Sequence, residues 1–198
     1  MKKLTLYAVG LVLCALFLAV MPTEGEEGIY RSVVRLHILA NSDGEEDQAR
    51  KLAVRDAILA TYGEELNCPD RAAAEEHILS LMPAIKKTAE DTLATHGCPD
   101  TVKISFSEER YPTRNYGELQ FPAGVYPSLR IVIGEGEGQN WWCVLFPPLC
   151  LDAATGEVAP PPEEAPAGLT DAEWRLVSGD GRYEVRFRLL EMLSEIAA

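Results

Sequence analysis

A thiol and an imidazole are the groups in this 198-residue chain best suited to covalent chemistry. Cys143 sits in the run GQNWWCVLFPPLC, which ends at Cys150, and His37 sits in VRLHILANSD. A cysteine nucleophile needs a base within hydrogen-bond reach and a third group that orients the base. Asn41 or Asn140 would fill the last role. Such a set describes an exported Cys/His thiol hydrolase acting on cell-wall material. The local sequence argues against it. Reactive cysteines stand at helix N-termini or beside cations, whereas Cys143 lies in an apolar, strand-like run. A histidine on a strand face is more often a structural residue than a base. Cys150 lies close enough, across Pro147-Pro148, to take Cys143 into a disulfide. Two unpaired cysteines remain the alternative.

Other chemistries fare worse. No pair among the three histidines and the four cysteines beyond Cys14 has a C-x-x-C or H-x-x-x-H spacing, so neither a metal nor a cofactor is expected. The Gly134-Glu135-Gly136-Glu137-Gly138 run is not a phosphate loop. Such loops open a helix whose N–H groups hold the phosphates. This run leads into a Trp-rich strand and carries two carboxylates, so it is expected to be a hairpin loop.

The balance of 18 bases against 31 acids gives a net charge of −13. Residues 1–21 hold Lys2, Lys3 and an apolar run from residue 4 to residue 20, the pattern of a signal peptide or N-terminal membrane anchor. The remainder has 16 bases against 31 acids, a net charge of −15, which repels nucleic acid and anionic lipid heads. Membrane contact is therefore expected through the N-terminal segment only.

Periodicity supplies the elements that must position these groups. Residues 32–40 alternate as a strand, with Val34, Leu36, Ile38 and Ala40 on one face and Val33, Arg35, His37 and Leu39 on the other. A helix is expected over Glu45–Tyr62, started by a capping box of Ser42 with Glu45 or Asp43 with Glu46 and closed by Gly63. A second helical stretch, capped by Asp70, keeps its apolar stripe to His96 through Pro83. Cys68 and Cys98 flank that stretch. One kinked helix would hold them far apart and unbonded, and a helical hairpin would let them pair; the unbroken stripe favours the kinked helix. Strands follow around Val102–Phe106, Leu119–Phe121, Leu129–Ile133 and Asn140–Phe146. Helices grouped together and strands grouped together imply an α+β fold, a mostly antiparallel sheet with helices packed on one face. The Pro- and Glu-rich stretch 154–168 reads as a linker, separating a core of 30–153 from a helical tail of 169–198.

In the Trp-rich strand, large residues occupy both faces. Trp141, Cys143 and Leu145 share one, and Trp142, Val144 and Phe146 the other. The plainer reading is a central strand under a helix layer; the other is a binding surface, since Trp and Tyr dominate interface hot spots.

This strand resembles the stage II sporulation protein R family of endospore-forming bacteria. The likeness extends to residues 34–43 (VRLHILANSD), 110–117 (RYPTRNYG), 122–124 (PAG) and 129–136 (LRIVIGEG), and so covers roughly residues 30–152 in one order. It implies a non-enzymatic signalling protein exported from the forespore into the space between the two membranes. There it would activate a membrane-embedded aspartic protease that processes the pro-form of sigma factor E. The matching residues include Arg35, His37, Asn41, Tyr111, Thr113, Tyr116, Trp141, Trp142 and Cys143. From their place at strand ends and on the polar sheet face, Arg35, His37, Asn41, Tyr111, Thr113, Tyr116, Trp141 and Trp142 are expected to form a partner-binding patch.

Overall fold

The computed structural model describes residue 7 and residues 9–14, 24–149 and 164–179. Its elements are α1 (Glu24–Ser32), β1 (Val34–Leu39), α2 (Glu45–Tyr62), a 3-10 turn (Glu64–Leu66), α3 (Arg71–Thr95), β2 (Val102–Tyr111), β3 (Arg114–Tyr116), β4 (Leu119–Phe121), β5 (Gly124–Ile133), β6 (Asn140–Phe146) and α4 (Asp171–Val177). The fold is α+β, with a four-stranded sheet in the order β2-β5-β1-β6 and a separate β3-β4 pair. β1 runs parallel to β5 and antiparallel to β6, and β2 runs antiparallel to β5.

β1 is the central strand, and all six of its residues are buried. Val34, Leu36 and Ile38 enter the main core, where they meet Val54 and Ile58 of α2 and Ile78, Ile85 and Ala89 of α3. Val33 enters a second core with Ile29 of α1, Tyr111, Phe121, Tyr126, Leu169 and Trp174. The sheet therefore carries the large helices on one face and a smaller layer on the other, built from α1, the β3-β4 pair and α4.

The Trp-rich strand is not central but forms an edge of the sheet. A register shift between Val34 and Arg35 inserts one extra residue into β6, and the bulge carries Phe146 into the main core beside Leu145 rather than opposite it.

The glycine run is also not a hairpin loop, because β1 lies between β5 and β6. It is a crossover that arches over the end of β1. Gly138 N donates to Ala40 O and Glu137 N to Asn41 O, while Asn41 Oδ1 accepts from Glu135 N at 3.0 Å. Lys51, buried in α2, donates to Gln139 O at 2.9 Å. A Cβ at Gly138 would collide with the Ser42 carbonyl, and Gly134 and Gly136 have φ +58 and +69, so all three glycines are fixed, one by close approach and two by backbone conformation.

The helices confirm their stripes but not every cap. α2 has Gly44 at its N-cap and no side-chain cap bond. Ser42 Oγ and Asn41 Nδ2 instead donate to Asp47 Oδ2, at 2.6 and 2.9 Å. These two bonds, then Arg50, hold the Asp47 carboxyl below its ordinary range. α3 is capped by Asp70, which accepts from Ala73 N at 2.9 Å, and it runs through Pro83 as one helix. Cys68 and Cys98 are free, as the single helix requires. The expected N-terminal segment 4–20 lies largely outside the described residues, among which no helix is long and apolar enough to cross a membrane.

Candidate functional site

The second face of the sheet gathers most of the polar residues singled out from the sequence. Strand register sets Ser105, Arg130, His37 and Trp142 in one row across the four strands, and Ser107, Ser128, Arg35 and Val144 in the next.

Arg35 is fully buried. Its guanidinium lies 4.5 Å from the Tyr111 ring centroid, 5.1 Å from Tyr126, 5.4 Å from Phe121 and 5.5 Å from Tyr116. Arg35 Nη2 donates to the Tyr116 hydroxyl at 2.7 Å. The cation is thus held by aromatic faces, each attractive through its ring quadrupole, and by one phenol. No carboxylate is bonded to it among the described residues. The β2-β5 hairpin makes this possible. Its ladder runs without a break from Val102↔Ile133 to Tyr111↔Gly124, and its tip, the β3-β4 pair, brings Tyr116 and Phe121 onto Arg35.

His37 sits between two partners. Nδ1 is 2.8 Å from Glu109 Oε1 and Nε2 is 2.7 Å from Asn140 Oδ1. Glu109 Oε2 accepts from Ser128 Oγ at 3.1 Å, and the Tyr111 hydroxyl is 2.7 Å from the same Ser128 oxygen. The Ser128 hydroxyl is bonded to the carboxylate rather than to the imidazole, so it is not set up as a nucleophile. Burial above all pushes the Tyr111 phenol far above its ordinary range, only partly offset by Ser128 and Arg35. Tyr116 is raised for the same reason, with Arg35 opposing.

A raised phenol binds its proton more tightly in the fold than in the unfolded chain. Stability should hold below about pH 10 and decline as pH climbs above it. Thermal melts of Tyr111→Phe should show a plateau lowered by about 1 kcal/mol for the lost Ser128 bond, and a shallower alkaline decline than the parent. An unchanged alkaline slope would show that Tyr111 does not carry the effect.

Trp142 covers His37, ring centroids 5.4 Å apart, and is covered in turn by Arg114, whose guanidinium carbon stands 3.6 Å from its centroid. Trp142 is half-buried. It marks the boundary between the covered half of this face and an open half bearing Lys103, Ser105, Arg130 and Asn140.

The expected patch is therefore divided. Arg35, His37 and Tyr111 are buried and can act on a partner only by supporting what lies above them. Asn41 serves the crossover. Thr113 is exposed in the turn before β3, and Tyr116 is half-buried on it. Trp141 lies on the opposite face, packed against the main core and under Arg55 at 5.2 Å. Trp142 is both surface-accessible and in contact with His37 and Tyr111, and Tyr116 is both surface-accessible and bonded to Arg35. Glu109, Ser128, Arg114, Arg130, Phe121 and Tyr126 were not foreseen. Tyr126, Ser128 and Arg130 recur at every second position of β5, opposite Leu129, Ile131 and Ile133, and that alternation was the available signal.

The thiol dyad fails on geometry. Cys143 pairs with Leu36 and faces the main core, whereas His37 pairs with Trp142 and faces the other way. Side chains on opposite faces of a sheet do not meet. Cys143 is not among the free thiols, which are Cys14, Cys68 and Cys98. Its expected partner Cys150 lies outside the described residues, and their pairing stays a proposal.

A family model described as Stage II sporulation protein R matches residues 30–155. The chain belongs to the stage II sporulation protein R family. The match takes in the whole four-stranded sheet, α2 and α3, and leaves α4 outside. The chain is 38% identical over 144 residues to a Stage II sporulation protein R of Bacillus subtilis (strain 168). That alignment covers 71% of this chain and 63% of the relative, so the chain spans a little less than two thirds of it. No solved structure matches. Family membership gives the chain a role in sporulation.

Proposed function

We propose that this protein is an exported, non-enzymatic signal of sporulation. It passes from the forespore into the intermembrane space, secreted or held by its N-terminal segment. There it activates the membrane-embedded aspartic protease that processes the pro-form of sigma factor E. Family membership over residues 30–155 carries this reading. The N-terminal apolar run agrees with export. The opposed faces of Cys143 and His37 separate the pair on which the hydrolase alternative rests. On this reading the partner meets the open half of the second sheet face, with Trp142 at its margin and the His37-Glu109-Ser128-Tyr111 network beside it as a rigid support.

Trp142→Ala should abolish processing of the sigma-factor precursor in cells making the protease. Trp142 is half-buried, so its stability cost should stay below about 2 kcal/mol. Precursor cleavage by immunoblot and the melting temperature of the purified full chain check both parts. Full processing by a stably folded variant would remove Trp142 from the contact, and global unfolding would make it a core residue instead.

A further inference from the structure

Among the described residues, the buried side-chain polar atoms without a hydrogen-bond partner are Arg35 Nε and Nη1, Arg114 Nε and Arg130 Nε. All belong to arginines, and all three arginines stand on the second face of the sheet. Arg35 and Arg130 belong to neighbouring rows of β1 and β5, and Arg114 lies on Trp142. Lys103 adds a fourth cation on the same face of β2. The acids in reach do not balance them. Glu109 is bonded to His37 and Ser128 and forms a salt bridge with Arg130, Nε to Oε1 3.8 Å, so one carboxylate already shared with His37 faces Arg130. Glu173, in the layer that covers the other half of this face, accepts from Thr170 as part of the α4 cap. In a chain of net charge −13, this face has a local excess of cationic donors over acceptors.

We propose that the open half of this face, Trp142 with Arg114, Arg130 and Lys103, docks an acidic segment of the partner protein; this rests on the signalling reading above. Guanidinium groups pair with carboxylates through short, charge-assisted bonds, often two at once. Arg130, with its side chain 43% exposed, can reach outward without any change in the sheet. Trp142 supplies the apolar anchor between the charges. Two copies of this chain would bring like charges together here, so a self-docked dimer is disfavoured. The acidity of the rest of the chain would repel misplaced acidic segments, leaving this face as the attractive one.

The test uses the full-length chain and, as probe, a fluorescent peptide of alternating glutamate and alanine. Binding at low salt should weaken about tenfold in the Arg114→Gln/Arg130→Gln double variant. It should be unchanged in Lys86→Gln/Lys87→Gln, which alters exposed lysines of α3. Equal binding by both variants, or equal binding of a glutamine-alanine peptide, would overturn the proposal. Displacement of the peptide by phosphatidylglycerol vesicles but not by zwitterionic ones would assign the face to lipid and overturn it too. Precursor processing separates this inference from the reading beneath it. Processing lost in Trp142→Ala but kept in the double arginine variant sinks the acidic partner alone. Peptide binding that needs both arginines while no variant affects processing keeps the anionic site and sinks the signalling role.

Discussion

Arg35→Ala should destabilise the fold by about 3–5 kcal/mol, the range for emptying a large buried site, whereas Arg35→Met should cost about 1–2 kcal/mol. The alanine variant removes the whole side chain from a cage of Tyr111, Tyr116, Phe121 and Tyr126, three of them almost fully buried. The β3-β4 pair then loses what it rests on. Methionine refills most of that volume and keeps contact with the rings. It forfeits the cation–π attraction and the bond to the Tyr116 hydroxyl. It also removes two buried donors that have no partner, each of which costs desolvation energy as it stands. The usual reason that truncating a buried charge is damaging, an opposite charge left behind, does not apply, because no carboxylate is bonded to Arg35 among the described residues. Urea unfolding of the purified chain measures both variants. If methionine proves as damaging as alanine, the charge rather than the volume holds the hairpin tip.

The strands and helices around this cage were legible because each rests on a local period. The bounds of α2 follow from its stripe and from Gly63, and the faces of β1 follow from strict alternation. Alternation put Arg35 and His37 on the correct face but does not say whether that face is covered. Coverage comes from α1, the β3-β4 pair and α4, elements far apart in the chain, and so a patch expected at the surface proves to be partly its foundation. Sheet order is equally non-local. Nothing around Gly134–Gly138 announces that β1 inserts between β5 and β6; the contact of Gly138 with Ser42 records it only after folding. The α2 cap was misassigned because Ser42 and Asn41 satisfy Asp47, a side chain, rather than the helix backbone. His37 and Cys143 invited a catalytic pairing by residue type alone, and strand register decides against it.

Trp174→Ala should cost about 3–5 kcal/mol, although Trp174 lies beyond a Pro-rich stretch that reads as a linker. Composition between residues 154 and 168 reads as a linker before a helical tail at 169–198, and the described part of that tail, to residue 179, packs on the second core. Leu169, Trp174 and Val177 are buried with Ile29 and Val33 in the second core. Thr170 and Glu173 form a reciprocal capping box, and this fixes the start of a helix too short to persist alone. α1 approaches so closely that a Cβ on Gly28 would collide with the Glu173 carboxylate, and Ser32 Oγ donates to that carboxylate at 3.4 Å. Trp174 therefore joins the end of the described chain to the helix that follows the N-terminal segment, and its loss should loosen both. Hydrogen exchange should rise in α1 as well as in α4, while the main core under α2 and α3 stays protected. Arg175→Ala, exposed on the same helix, should change stability by no more than about 0.5 kcal/mol. A Trp174→Ala protein with parental stability and unchanged exchange in α1 would return residues 169–179 to the status of a tail, and the second layer of the fold would rest on α1 and the β3-β4 pair alone.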